Sequence, residues 1–307
     1  MNIVFVDMDT MGEMKELDIL KKLGHLTIYG NTTPDQVIER SKDADVVITN
    51  KVVYTKKVIE ALPNLKMICV AATGTNNIDI VAATERGIKV KNVKGYSTSS
   101  VVQLTFGVML ELMVQMNYYY EYVNSGKYSN QNLFTHIGPG LLELNGKTIG
   151  IIGMGDIGKG VAKVAEAFGM KVIHYSTSGK NTNSGYTSVS LTDLAKLSDV
   201  VSIHAPLNDQ TKGLIHGNFF EQMRPSAILI NMGRGGIVVE KDLVVALESN
   251  KIYGAALDVF EKEPLPKDSP LLNAARKYRL LLTPHIAWAG YDSRVRLIEG
   301  IVKNIQG

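Results

Sequence analysis

The chain has 307 residues, more than the roughly 250–300 at which a single hydrophobic core stops growing, so two domains are expected. Apolar residues make up 45% and charged residues 21%, the balance of an ordinary globular protein, which excludes a disordered or fibrous chain. A net charge of +3 with no block of Lys or Arg argues against nucleic acid and acidic membrane surfaces as partners.

The N-terminus, Met-Asn-Ile-Val-Phe-Val-Asp, has neither a basic region nor a long apolar one, so no signal peptide is expected. Short β-branched runs at 3–7, 26–29, 46–49, 66–71 and 88–93 alternate with helical patterns at 13–23 and 34–42. Cys69, the only cysteine, lies in the fourth run. It excludes an intrachain disulfide and fits a reducing compartment, so a cytoplasmic location is expected. The turn-rich Gly95-Tyr96-Ser97-Thr98-Ser99-Ser100 offers an N-cap to a long apolar helix at 101–116. Gln103, Thr105, Gly107, Glu111 and Gln115 interrupt that helix and make it too polar to span a bilayer. The tyrosines Tyr118, Tyr119, Tyr120 and Tyr122 fit either a helix face at a subunit interface or packing within the chain. Residues 124–140 are polar and turn-rich, which at that length suggests a functional arm or interface loop, and a homodimer is the expected assembly.

A second series of runs follows at 148–152, 171–175, 200–204, 227–231, 254–258 and 279–283, with helical patterns between, as at 242–249. Such alternation predicts parallel sheets covered by helices on both faces: an α/β chain of two doubly wound domains. The amphipathic pattern at 292–305 is too short to stand alone and is expected to return to the first domain. The expected division is 1–97, completed by 289–307, and 98–288.

Gly153-x-Gly155-x-x-Gly158 sits between the apolar Ile149, Ile151 and Ile152 and a helix-period pattern at Ile157, Val161, Val164 and Phe168. Strand, tight turn and helix in that order suit a dinucleotide pyrophosphate. Gly153 permits the turn, Gly155 lets backbone approach the phosphates, and Gly158 lets the helix pack close to its strand. The helix N-terminus then offers free N–H groups and a positive dipole end to the anion.

In doubly wound sheets ligands gather at the carboxyl ends of strands. Those ends read Ser202-Ile-His204-Ala-Pro206-Leu207, Asn231-Met-Gly-Arg234-Gly-Gly, Asp258-Val-Phe-Glu-Lys-Glu263-Pro264 and Thr283-Pro-His285-Ile-Ala-Trp288. With Ala72-Thr73-Gly74-Thr75-Asn76-Asn77-Ile-Asp79 and Gly95-Tyr-Ser97, the set resembles the D-isomer-specific 2-hydroxyacid dehydrogenases over nearly the full length. Within them it looks most similar to the glycerate dehydrogenase/hydroxypyruvate reductase branch.

The resemblance implies a Rossmann cofactor domain and a flavodoxin-like substrate domain with a cleft between them. It also implies hydride transfer between NAD or NADP and C2 of a small 2-keto or 2-hydroxy acid. Arg234 matches the substrate arginine, whose planar fork grips carboxylate and keto oxygen. His285 matches the general acid/base, and Glu263 its partner carboxylate, which favours the imidazolium and fixes the tautomer. The Thr73-Gly74 amides, in a turn permitted by glycine, are expected to hold the substrate carboxylate. Trp288 fits either a substrate-facing wall or a core position. The cofactor positions implied are Gly153, Gly155, Asp156, Ile157 and Gly158 in the glycine turn, and Ser176, Thr177, Ser178 and Lys180 after the next strand. Further on they are His204, Ala205, Pro206 and Thr211, then Met232, Gly233 and Asp258. No metal is implied, and His25, His136, His174 and His216 have no partner pattern. Two rival readings remain: a non-catalytic nucleotide-sensing corepressor-like protein, and the same chemistry on lactate, phosphoglycerate or a branched-chain keto acid.

The chain departs from the pattern twice. Ser176 stands where an acidic residue would bond the ribose 2′-OH, which removes repulsion against a 2′-phosphate and points to NADPH acceptance. Asp156 lies inside the glycine turn, where its carboxylate suits the helix dipole but faces the pyrophosphate unfavourably.

Overall fold

The structure, a computed structural model, describes residues 1–180 and 185–307. The first five apolar runs become β1 (Asn2–Phe5), β2 (His25–Ile28), β3 (Val46–Thr49), β4 (Met67–Val70) and β5 (Lys89–Asn92). They pair in parallel in the order β2-β1-β3-β4-β5, a flavodoxin-like sheet. Side chains alternate across it: Ile3, Phe5, Val46, Ile48 and Cys69 enter one core, and Val4, Val47, Ile68 and Val70 the other. Burial on both faces is why β1, β3 and β4 read as nearly continuous apolar runs. The last helix, Tyr291–Gln306, lays Leu297, Ile298 and Ile301 on the first of those cores. Burial pushes the Cys69 thiol up to about 12, so it is inert packing.

The second sheet contains β6 (Thr148–Ile152), β7 (Lys171–Tyr175), β8 (Thr187–Ser188), β9 (Val200–Ile203), β10 (Ile228–Asn231), β11 (Gly254–Leu257) and β12 (Leu280–Leu282). Their order is β12-β11-β10-β9-β6-β7-β8, all parallel. Strand order reverses between β6 and β9, the switch point at which a doubly wound sheet opens a crevice. The chain divides into two compact units, Met1–Ser97 with Trp288–Gly307, and Thr98–Ala287.

Every strand expected from the sequence forms. The unexpected one is β8, whose exposed Thr187 and Ser188 pair with Ile173 and His174 at the sheet edge and carry no apolar pattern. Helices depart more. The pattern at 13–23 yields a 3-10 turn, Lys15–Leu17, and a single α turn, Asp18–Lys21, neither with a side-chain cap. The pattern at 101–116 becomes Thr98–Val114, which stops at Gln115 in the left-handed region (φ 56°) before a second helix, Met116–Asn124, bent from it by 59°. Gln115 is anchored there: Arg279 Nη2 donates to its Oε1 (3.1 Å), and its Nε2 donates to Tyr253 OH (3.3 Å). Among the described residues no single helix is long and apolar enough to cross a membrane.

Three of the four tyrosines make contacts within the chain, while Tyr120 is exposed. Tyr118 OH lies 2.8 Å from His136 Nε2, and Tyr122 stacks on the same imidazole at 3.7 Å. His136, which had no partner pattern in the sequence, is thus the anchor of the segment after the helix. Beyond it Phe134 and Ile137 stay 89% and 71% exposed.

Candidate active site

The carboxyl ends of the second sheet converge because glycines let their backbones touch. Gly153 is left-handed (φ 96°), and a Cβ there would meet Ala205 N at 2.7 Å; one on Gly233 would meet Ala205 O at 2.8 Å. The loops after β6, β9 and β10 are therefore in backbone contact, with buried Ala205 between them. A Cβ on Gly158 would strike Gly153 O at 2.3 Å, so the helix Asp156–Ala167 starts directly against the turn. Gly155 caps that helix with no side-chain bond, and a Cβ there would meet nothing within 4 Å. Open space above uncapped helix N–H groups is what a pyrophosphate needs, so these residues fit a dinucleotide. Asp156 is exposed and Ile157 half-buried at the same turn.

After β7, Ser176 and Thr177 are half-buried, and Ser178 and Lys180 are exposed. Gly179 N–H donates to Ser176 O (3.3 Å), and Lys180 N–H to Ser178 Oγ (3.3 Å), folding hydroxyls and the lysine into one turn with no carboxylate. After β9, Pro206 is exposed, while Thr211 is fully buried and spends its hydroxyl on the turn, donating to Pro206 O (2.7 Å) and accepting from Asn208 N–H (2.8 Å).

His204 ends β9 with Nε2 2.8 Å from Ser202 Oγ, and its Nδ1 is buried without a partner among the described residues. Burial pushes this imidazole down to about 3. In the unfolded chain it titrates near an ordinary 6.5, so between those values the unfolded state binds more protons than the folded one. The stabilising contribution is complete above about pH 6.5 and is lost as pH falls, by at most about 1.4 kcal/mol per pH unit. Thermal denaturation from about pH 7 to about pH 4.5 should show that loss, and His204→Gln should flatten it. Parallel curves for both proteins would remove His204 as the source.

At the end of β10, the buried Asn231 shapes the Arg234 turn from both sides. Its Oδ1 accepts Gly233 N–H (3.0 Å), and its Nδ2 donates to Arg234 O (3.0 Å). Met232 is buried beneath, and the Arg234 side chain is exposed with Nη1 on Gly233 O (2.8 Å). Gly235 cannot be larger, because a Cβ would lie 1.7 Å from Phe260 O. The arginine turn thus rests on the loop that carries Glu263. The first residue of the helix Glu240–Glu248 braces the same loop: Glu240 N–H donates to Glu261 Oε1 (3.0 Å), and Glu261 N–H to Glu240 Oε1 (2.7 Å).

Glu263 and His285 meet directly, with Nδ1 2.7 Å from Oε2. Their side chains are 33% and 22% exposed, so the pair is partly shielded from water but accessible. Glu263 Oε1 accepts Phe260 N–H (3.1 Å), which fixes the carboxylate. Asp258 is buried beneath the His285 loop, and burial pushes its carboxyl up against hydrogen bonds that hold it down.

In the first unit, Thr73 Oγ1 donates to Val93 O (3.2 Å), and Asn92 Nδ2 donates to Thr73 O (2.5 Å). Trp288 packs edge-on to Tyr96 (centroids 6.4 Å) and borders the core of that unit, in line with its core reading. Sequence reasoning missed Asn231, Thr283 and Glu240 as parts of the site. A buried Asn closing an apolar strand was the available signal for the first.

Residues 106–287 match the profile of the D-isomer specific 2-hydroxyacid dehydrogenase, NAD binding domain. A putative 2-hydroxyacid dehydrogenase of Haemophilus influenzae is 39% identical over 282 residues, 91% of this chain and 89% of that protein. A hydroxypyruvate reductase of Blautia hydrogenotrophica is 38% identical over 294 residues, 94% of this chain and 90% of that one. Among solved structures, an acyclic imino acid reductase in complex with NADPH and D-Arg superimposes with a TM-score of 0.87 at 30% identity, covering 100% of this chain and 96% of its own.

Proposed function

Because the chain belongs to the D-isomer specific 2-hydroxyacid dehydrogenase family, an oxidoreductase family with an NAD-binding domain, we propose that it reduces a small 2-keto acid, hydroxypyruvate or glyoxylate, at C2. The observation that carries this reading is the His285–Glu263 pair, 2.7 Å apart, with the glutamate on the loop against which the Arg234 turn rests. A bound dihydronicotinamide supplies the hydride. With Nδ1 tied to Glu263, Nε2 is the nitrogen left to give its proton to the C2 oxygen, and Glu263 stabilises the cation that makes the gift possible. Arg234 holds the carboxylate and keto oxygen in a two-pronged grip. One proton and one hydride enter, and a D-2-hydroxy acid leaves.

The cofactor assignment includes NADPH. The turn after β7 offers Ser176, Thr177, Ser178 and Lys180 and no carboxylate to repel a 2′-phosphate. The deciding experiment is a panel of 2-keto acids, from glyoxylate and hydroxypyruvate to pyruvate, phosphohydroxypyruvate and branched-chain acids, each assayed with NADH and NADPH. The two smallest hydroxylated or aldehydic acids should lead, with NADPH used at least as efficiently as NADH. Silence across the panel would overturn the reaction, and a strong preference for NADH would overturn the cofactor assignment alone.

The arm bearing exposed Leu133, Phe134, Ile137 and Leu141 is assigned to contact with a second copy of the chain. Light scattering should give twice the monomer mass of 33.6 kDa, and the monomer mass would refute it. The lone buried cysteine suits the reducing cytoplasm.

A further inference from the structure

We propose that Asp258 is a positioning residue for His285, holding residues 283–287 in the backbone course that presents the imidazole to Glu263. The inference rests on the hydride-transfer reading above and adds to it a residue that touches neither reacting atom. Asp258 follows β11 and His285 follows β12, and the two strands pair in parallel with Leu257 opposite Leu282. The Asp258 side chain therefore starts level with the beginning of the histidine loop.

Asp258 is 1% exposed. Its Oδ1 accepts from Thr283 Oγ1 (2.6 Å) and Ile286 N–H (2.9 Å), and its Oδ2 accepts from Ala287 N–H (2.8 Å). These donors straddle His285, one two residues before it and the others one and two residues after. His285 itself adopts φ 55°, the left-handed region that residues with a Cβ avoid, while its N–H closes a tight turn onto Thr283 O (3.0 Å). Unfavourable backbone persists only where its surroundings over-determine it, and the Asp258 carboxylate supplies that constraint. A buried carboxylate must find donors, and here three of them come from this one loop. The family resemblance places Asp258 at the cofactor; the bonds on its two oxygens tie it to the histidine loop as well.

The chemistry also explains why a carboxylate is required. Asparagine keeps one acceptor oxygen but turns an NH2 toward a backbone N–H, donor against donor. Asp258→Asn should lower kcat by roughly tenfold or more, since misplacing a reacting group by about an ångström costs up to about a hundredfold. The nitrogen NMR signature of the hydrogen-bonded His285 Nδ1 in the unliganded protein should be lost. Thr283→Val, which removes one donor, should move kcat in the same direction by less, and Thr283→Ser should restore it.

A variant Asp258→Asn with wild-type kcat at saturation and weakened NADPH binding would overturn the proposal in favour of a cofactor ligand, as would an unchanged Nδ1 signature. Should that variant fail to fold, equal kcat for Thr283→Val and Thr283→Ser overturns it, and a fall confined to Thr283→Val supports it. If the wild-type protein turns over no keto acid, the reaction reading has failed, and the Nδ1 signature still decides whether Asp258 sets His285.

Discussion

Replacing His285 with alanine should reduce kcat by roughly 10²–10⁴-fold, the usual worth of a positioned acid/base. The loss should fall on kcat, because a proton donated as the hydride arrives is an interaction made in the transition state. Binding of NADPH should change little, since the glycine turn after β6 and the hydroxyl-rich turn after β7 stand on other strands of the sheet. A companion Glu263→Gln keeps the shape of the side chain and its bond to Phe260 N–H but removes the charge beside Nδ1. Turnover should fall in that variant too, because a neutral amide leaves the proton-donating imidazole without its partner charge. Retained turnover in His285→Ala would take the imidazole out of the mechanism, and parent-like turnover in Glu263→Gln would uncouple the pair.

The sheet core was legible in the sequence because a parallel strand buried on both faces must be apolar at every position. Val46, Val47 and Ile48 feed two opposite cores, and no polar residue could serve either. Candidate site residues were legible for a related reason: polar residues that follow such runs stand at the mouths of strands, which is where Arg234, Glu263 and His285 lie. Helix lengths were less visible. Periodicity at 13–23 identifies a face but not a cap, and without one the segment divides into short turns. Asn231 and Asp258 show the deeper limit. Each is a polar residue at a strand end, like Arg234, Glu263 and His285, and only their partners reveal that they serve a turn and a loop. Hydrogen bonding between loops of different strands has no periodicity and leaves no trace in spacing.

Arg234→Lys is the second large effect expected, because it separates charge from shape. Lysine keeps the cation but replaces a planar fork by a single ammonium, so one of two parallel bonds to the substrate is lost. A hydrogen bond to a charged partner is worth about 1.5–3 kcal/mol, which converts to roughly a ten- to hundredfold fall in kcat/KM. The Arg234 turn should survive the change: Asn231 holds it through backbone atoms, and Gly235 keeps its contact with the Phe260 carbonyl. The thermal midpoint should therefore stay close to that of the parent, which distinguishes lost recognition from lost structure. Arg234→Ala, lacking both charge and fork, should fall further. If lysine matched arginine across the keto-acid panel, the side chain would be acting as a diffuse positive charge and the two-pronged grip on carboxylate and keto oxygen would have to be abandoned.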